Sequence, residues 1–348
     1  MMFHRYQIGG VARRYVYLAL ALAGLVMEPG KPMAAQANPG ALPVFHIAAI
    51  ANPDQSRWAV ELIKEQRLDR KYGFTLDFTL KPVSVAYTDF VNGSDPVCMC
   101  LTIATGARFL LQGVDVALVW TYNAYKHAYL VTEQPDIQRP QDVVGHSLAG
   151  STGSGSWIFQ QYFLQRQQHV DLSKVDIPSI VASAQSTYLL AKRVDAITVF
   201  DPTRIQLEQL APGRFRYIPI FDTKQWQAET GIDYLPMFLL GLRRSWYQQP
   251  GNQELLKKFH AAYREAIDFM VKNPEETAKL LGEDRLQASP DFAISYLKNY
   301  PETADMTYVR DYRQAVKQLT QELLPPSGLI DRPLTDKEVD QLILDFRP

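Results

Sequence analysis

The segment GSTGSGSW, Gly150 to Trp157, sets glycines and four hydroxyl residues in a row before an aromatic. It falls between a strand expected around Ser147 to Ala149 and the helical stretch WIFQQYFLQRQQ. A nucleotide P-loop needs a Lys followed by Ser or Thr at the helix start, and here Trp157 follows Ser156. The dinucleotide fingerprint G-x-G-x-x-G is missing too. What remains is a strand-to-helix turn where small residues let a ligand approach backbone N–H groups. The first amides of a helix have no partners inside it, and the helix dipole adds positive potential there. Ser151, Thr152, Ser154 and Ser156 can add hydroxyl donors, so the turn suits a small anion without a metal or a cationic side chain. The competing role is structural: Ser154 caps the helix.

Other residues could join such a site. Asp201, at the end of VDAITVF, either pairs with a ligand ammonium or amidine or caps the helix beginning near Pro202. Thr102 is a hydroxyl donor or an ordinary turn residue. Trp120 and Tyr122 form either an aromatic wall or core. His46, His127 and His146 have no metal-pair spacing and read as core or surface histidines. The only cysteines, Cys98 and Cys100, stand two apart in PVCMC. In a regular strand that spacing puts the Cα atoms roughly 6.5 Å apart on one face, which disfavours a disulfide. Two buried thiols, or a soft-metal pair, are the expectations left.

Composition limits the function classes. The 348 residues include 47% hydrophobic and 21% charged residues, an ordinary globular balance with room for about two domains. Net charge is −1 without a basic block, so nucleic acid is not an expected partner. Arg5, Arg13 and Arg14 precede the apolar run Tyr15 to Val26, followed by Ala35-Gln36-Ala37, the pattern of a cleaved signal peptide over residues 1–37. The run is too short for a membrane anchor. No cysteine follows it to carry a lipid. Cleavage would leave 32 Lys and Arg against 36 Asp and Glu, a net charge of −4.

The elements that must position these residues alternate. VFHIAAI reads as a strand, Gln55 to Lys71 as one helix and FTLDFTL as a strand. Thr88 to Asn92 follows as a brief helix, PVCMCL as a buried strand, Thr105 to Gln112 as a helix and Val114 to Trp120 as a strand. After Lys126 the grammar repeats through HAYLVT, the glycine turn, PSIVA, the helix SAQSTYLLAKR and the strand VDAITVF. From Asn252 the pattern is helical, with NPEETAKLL starting a helix at Asn273-Pro274. Such order predicts the α/β class with a largely parallel sheet.

The stretches QGVDVALVW, PQDVVGHSLAGSTGSGSW, AKRVDAITVFDPTRIQLEQ and NPEETAKLL, in this order, resemble the periplasmic solute-binding proteins of ABC transporters, in the nitrate, sulfonate, taurine and thiamine-precursor group. The resemblance covers nearly the whole chain beyond residue 37. It implies a two-lobed type II periplasmic-binding-protein fold with a helical C-terminal region: lobe 1 over residues 38–124 and 235–348, lobe 2 over residues 125–234. Ligand loops then fall on Asn52 to Gln55, Leu101 to Ala104, Ser151 to Ser156 (with Gly155 at the helix start) and Phe200 to Thr203. These are strand ends and helix starts, where open α/β sheets bind ligands. The crossing segments near Tyr122 to Lys126 and Tyr234 to Leu239 would act as hinges. The chain departs from the family at Leu101-Thr102-Ile103, where relatives have a Gly/Pro-rich turn, and at Asp201-Pro202, where they have a glutamate.

The function implied is capture, without cofactor or catalysis, of a small sulfonate, taurine-like or nitrogen-containing ligand. The protein would be a periplasmic monomer handing the ligand to an ABC permease in the inner membrane. Alternatives are a thiamine-pyrimidine-synthase-like enzyme of the same superfamily, a soft-metal or metal-chelate binder through Cys98 and Cys100, and a sensor module.

Overall fold

The structure is a computed structural model that describes residues 42–51, 53–304 and 306–348. The expected signal peptide and Asn52 lie outside them. Ten strands run in chain order: β1 (Val44–Ile50), β2 (Thr75–Lys81), β3 (Val97–Leu101), β4 (Val116–Tyr125), β5 (Ala128–Thr132), β6 (Leu148–Ala149), β7 (Ala196–Phe200), β8 (Arg216–Pro219), β9 (Leu235–Arg243) and β10 (Thr307–Tyr308). They form a six-stranded sheet of order β10-β4-β9-β3-β1-β2 and a four-stranded sheet of order β6-β7-β5-β8. The α/β class holds, but the sheets are mixed rather than largely parallel.

The reason lies in one strand. β1 pairs parallel with both β2 and β3, as the alternating pattern predicts. β9 then returns from the far side of the smaller sheet and inserts antiparallel between β3 and β4. A strand contributed from more than a hundred residues away leaves no mark on local periodicity. All five residues of β3 and all five of β7 are buried, which is why both read as continuous apolar runs.

The helices that matter for the site are α1 (Gln55–Glu65), α2 (Leu68–Lys71), α3 (Val83–Asn92), α4 (Ile103–Leu111), α5 (Gly155–Tyr162), α6 (Ala182–Leu190) and α7 (Asp201–Leu210). The single helix expected from Gln55 to Lys71 breaks at Arg67, which adopts the left-handed conformation with φ 55°. Asp69, only 2% exposed, pins the break by accepting from the amides of Arg70 and Leu76 and from Lys64 Nζ. That turn delivers β2 alongside β1. α3 begins at Val83, earlier than the expected Thr88. PSIVA forms no strand; Ser179 makes only an isolated bridge to Gly150. Among the described residues no helix is long and apolar enough to cross a membrane.

Cys98 and Cys100 form a disulfide, which overturns the expectation of two thiols and removes both sulfurs as soft-metal donors. β3 is irregular there: its register against β9 shifts between Met99 and Leu101. The Cα atoms close to 5.3 Å, inside the disulfide range that a regular strand exceeds. Alkylation of the unfolded protein should therefore label no cysteine before reduction and both after it; labelling without reductant would contradict the bridge.

In the larger core His260 is 6% exposed, packs beside Trp120 and Phe346, and meets the Tyr308 hydroxyl at 2.8 Å. Burial, with Arg264 nearby, lowers its pKa to about 4. The folded state thus holds a neutral imidazole, so its contribution is intact above the unfolded value of about 6.5 and lost as pH falls through 4. Over that window the wild type should lose up to about 3 kcal/mol relative to His260→Gln, at 1.36 kcal/mol per pKa unit. Urea unfolding at pH 7 and pH 4 checks it; a difference that does not change with pH would contradict it.

Candidate functional site

A cavity of about 360 Å³ opens where the strand ends of the two sheets meet. The larger sheet contributes Asp54 after β1, Tyr125 at the end of β4, Phe238 on β9, and Phe292 from the helix Pro290–Asn299. The smaller sheet contributes Thr198 and Phe200 on β7, Ser151, and Ser156 and Gln160 on α5. On α6 the lining residues Ser183, Ser186, Thr187 and Leu190 recur at helical spacing, so one stripe of that helix forms a wall. α7 faces it with Thr203, Gln206 and Leu210. No Lys, Arg or His is among the described lining residues.

The glycine turn is explained residue by residue. A Cβ on Gly150 would run into the Trp157 ring and Ile177. Gly153 has φ +88°, a conformation that other residues adopt with strain. A Cβ on Gly155 would overlap the side chain of Thr102, the N-cap of α4 that follows β3 of the larger sheet. Ser154 caps α5, accepting from the Trp157 amide at 3.2 Å. The Tyr87 hydroxyl on α3 lies near the Gly155 amide and the Thr105 side chain. Neither contact meets hydrogen-bond geometry, so this buried oxygen has no hydrogen-bond partner among the described residues.

The expected ligand residues separate accordingly. Ser151 and Ser156 line the cavity. Thr152 is exposed and pairs its hydroxyl with that of Ser179 at 2.5 Å, Ser154 is spent on capping, and Gly155 is packed on Thr102. Thr102 itself closes a capping box with Thr105 at the start of α4. Gln55 is fully buried, donating to Asn123 Oδ1 at 2.9 Å and the Thr303 carbonyl at 3.0 Å. Trp120 is fully buried against Phe259, His260 and Phe346, so it is core rather than an aromatic wall, and Tyr122 is buried beside Phe238.

Asp201 is 1% exposed and does not line the cavity. Its Oδ2 meets His127 Nδ1 at 3.0 Å and its Oδ1 faces Arg204 Nε at 3.6 Å. Burial raises its pKa, and these neighbours act against that rise. Arg204 also donates to the Tyr300 hydroxyl at 2.6 Å and lies over the rings of Tyr129 and Tyr217. An acid so engaged is a structural anchor, not a free partner for a ligand.

Among the lining residues that sequence reasoning did not single out are Asp54 and Tyr125, with Gln160, the α6 stripe, Phe238 and Phe292. Asp54 sits in the expected loop 52–55 and is 5% exposed. Its Oδ1 caps α1, accepting from the Ser56 amide and hydroxyl and from the Arg57 amide at 3.3 Å. Burial is the main cause of its raised pKa, opposed by those hydrogen bonds and by Arg57. An Asp after a strand and before an apolar-periodic helix is a cap signal, but sequence cannot say that its second oxygen is free. Tyr125 was missed because β4 runs five residues past the expected end at Trp120. Its ring stacks on Phe200 with centroids 4.9 Å apart, joining the ends of the two sheets.

Comparison places this architecture among known folds. The NMT1/THI5-like family model matches residues 108–277, from α4 through the whole smaller sheet and β9 into the helix Pro274–Leu286. The matched stretch holds the glycine turn, α6 and α7 but not Asp54. No curated protein matches the chain in sequence. Among solved structures it is similar to the periplasmic aliphatic sulphonate binding protein SsuA of Escherichia coli, at 15% identity and TM-score 0.63, over 87% of this chain and 92% of that one. The alkanesulfonate-binding protein SsuA of Xanthomonas axonopodis pv. citri, bound to MOPS, gives 13% identity and TM-score 0.65 over 83% and 95%. A Candida albicans protein with the generic periplasmic binding protein fold gives 15% identity and TM-score 0.62 over 88% and 97%. At these identities the likeness is one of fold, and the periplasmic-binding-protein fold is the one expected from sequence.

If Gly155 sets the approach of the glycine turn to Thr102, Gly155→Ala should cost about 1–3 kcal/mol through overpacking. The exposed neighbour change Thr152→Ala should stay within about 0.5 kcal/mol. Urea midpoints of the two variants decide this, and equal midpoints would refute the contact.

Proposed function

We propose that this protein is the exported solute-binding component of an ABC importer. It captures a small ligand between two lobes, residues 38–124 with 235–348 and residues 125–234, and delivers it as a monomer to a permease in the inner membrane. The observation that carries this reading is the cavity itself: its walls come from the strand ends of two separate sheets. A ligand there touches both halves at once, which is what couples binding to closure. The two sheets are joined by short crossings, from Tyr125 to Ala128 and from the helix Thr223–Thr230 into β9. The likeness in fold to sulfonate-binding proteins supports the same reading. Within the sulfonate, taurine-like and nitrogen-containing range, the lining favours ligands that carry nitrogen. It offers hydroxyls, carboxamides, aromatic rings and one carboxylate, with no Lys, Arg or His among the described residues to balance a bare anion.

The test is a melting-temperature screen of the ligand-stripped protein against taurine, MOPS, an alkanesulfonate, nitrate and an aminopyrimidine, with small-angle scattering on any hit. A solute at a hundred times its Kd should stabilise by about 2.7 kcal/mol and reduce the radius of gyration. If none of the five shifts the melting temperature, or a hit leaves the dimensions of the protein unchanged, capture by closure is wrong.

A further inference from the structure

Asp54 has only one of its two oxygens accounted for. Oδ1 receives the helix-capping hydrogen bonds of Ser56 and Arg57, while Oδ2 has no hydrogen-bond partner among the described residues. The residue is 5% exposed, and the exposure it keeps is toward the cavity it lines. Arg57, the positive charge beside it, donates its Nε to the Arg285 carbonyl at 2.8 Å and answers first to Glu61. The cavity is therefore a low-dielectric space holding a carboxylate, aromatic surface and uncharged donors.

Resting on the solute-capture reading, we infer that the cavity takes a small organic cation, a protonated amine or amidine. Its N–H groups are received by Asp54 Oδ2, and its carbon body is covered by Tyr125, Phe200, Phe238 and Phe292. Three observations converge on that chemistry. Asp54 lines the cavity with Oδ2 free of protein hydrogen bonds, and for a carboxylate so placed a charge-assisted hydrogen bond from a ligand N–H is the strongest available answer. Aromatic faces attract cations and repel anions through the ring quadrupole. Ser156 and Gln160 can accept from further N–H groups or donate to a hydroxyl on the same ligand. The groups that share the field of Asp54 are Arg57 on α1, Tyr122 and Tyr125 on β4, Tyr263 on the helix Asn252–Lys272, and Tyr296 on the helix Pro290–Asn299. All four tyrosines have pKa values raised by burial, so none of them ionises in the working range.

The probes are benzamidine, benzyl alcohol and benzenesulfonate, which share a ring and differ in charge, titrated calorimetrically into the protein at pH 7. Benzamidine should bind and the sulfonate should not. Asp54→Asn should weaken benzamidine at least about tenfold, the loss of one charge-assisted interaction. Asparagine retains the α1 cap, so this variant removes charge without removing the fold, and its unliganded melting temperature is the control. Because burial favours the protonated acid, the unliganded Asp54→Asn protein should be no less stable than the parent at pH 7. Benzamidine affinity of the parent should fall as pH drops through the raised Asp54 pKa. Benzenesulfonate binding as tightly as benzamidine, no benzamidine binding, or undiminished binding by Asp54→Asn would each overturn the cation. If taurine or an alkanesulfonate binds and closes both the parent and Asp54→Asn equally, the cation falls while solute capture stands.

Discussion

Gly155 has no side chain, and the space where one would stand is filled by Thr102, between β3 of the larger sheet and α4. That contact brings the start of α5 against the start of α4, and the cavity exists because the remaining strand ends then face one another across a gap. Two helix N-termini meet here, each already satisfied by its own cap: Ser154 on Trp157, and Thr102 with Thr105. Self-capped ends can approach without leaving amides stranded, and the Tyr125 ring then reaches Phe200. An uncapped pair of positive helix ends would resist the same approach.

The two buried acids of this region show how packing assigns roles to like side chains. Asp201 faces His127 and Arg204, so its charge is answered within the protein. Asp54 faces hydroxyl and amide donors on one oxygen and the cavity with the other. Both are raised by burial, and Asp201 Oδ1 also lacks a hydrogen bond, but only Asp54 lines the cavity where a ligand could reach its oxygen. An acid in the second condition lowers the stability of the empty protein, and retention of such a group is expected where binding uses it.

Much of this was legible in sequence, and the failures have physical causes. β1, β3 and β7 announce themselves as short apolar runs, and the helices Asn252–Lys272 and Pro274–Leu286 as 3.6-residue periodicity with a proline start. The glycine turn between β6 and α5 was found from composition alone, and Ser151 and Ser156 do face the cavity. The antiparallel insertion of β9 was not legible, because pairing between distant strands has no local signature. The disulfide was missed because β3 is irregular where a regular strand was assumed. Asp201 was favoured over Asp54 because both are strand-end acids preceding a helix; that Asp201 is taken up within the protein depends on His127 arriving from before β5, beside Arg204 one turn along α7.

The contacts that cross the cavity also bear on how a ligand could drive closure. A solute shifts an equilibrium between open and closed forms only by its difference in affinity for the two. The Tyr125–Phe200 stack and the Arg204–Tyr300 hydrogen bond form between protein groups alone. On the proposed capture reading they would therefore stabilise a closed arrangement whether or not a ligand is bound. A stack of this kind contributes about 0.5–1.5 kcal/mol beyond its buried area and a charged hydrogen bond about 1.5–3 kcal/mol, so together they offset part of what the ligand would otherwise supply. The unpaired oxygen of Asp54 works in the opposite direction, because closing over it without a partner confines an unanswered polar group. On the proposed capture reading, a ligand that answers this carboxylate oxygen would remove that cost and so favour the closed form.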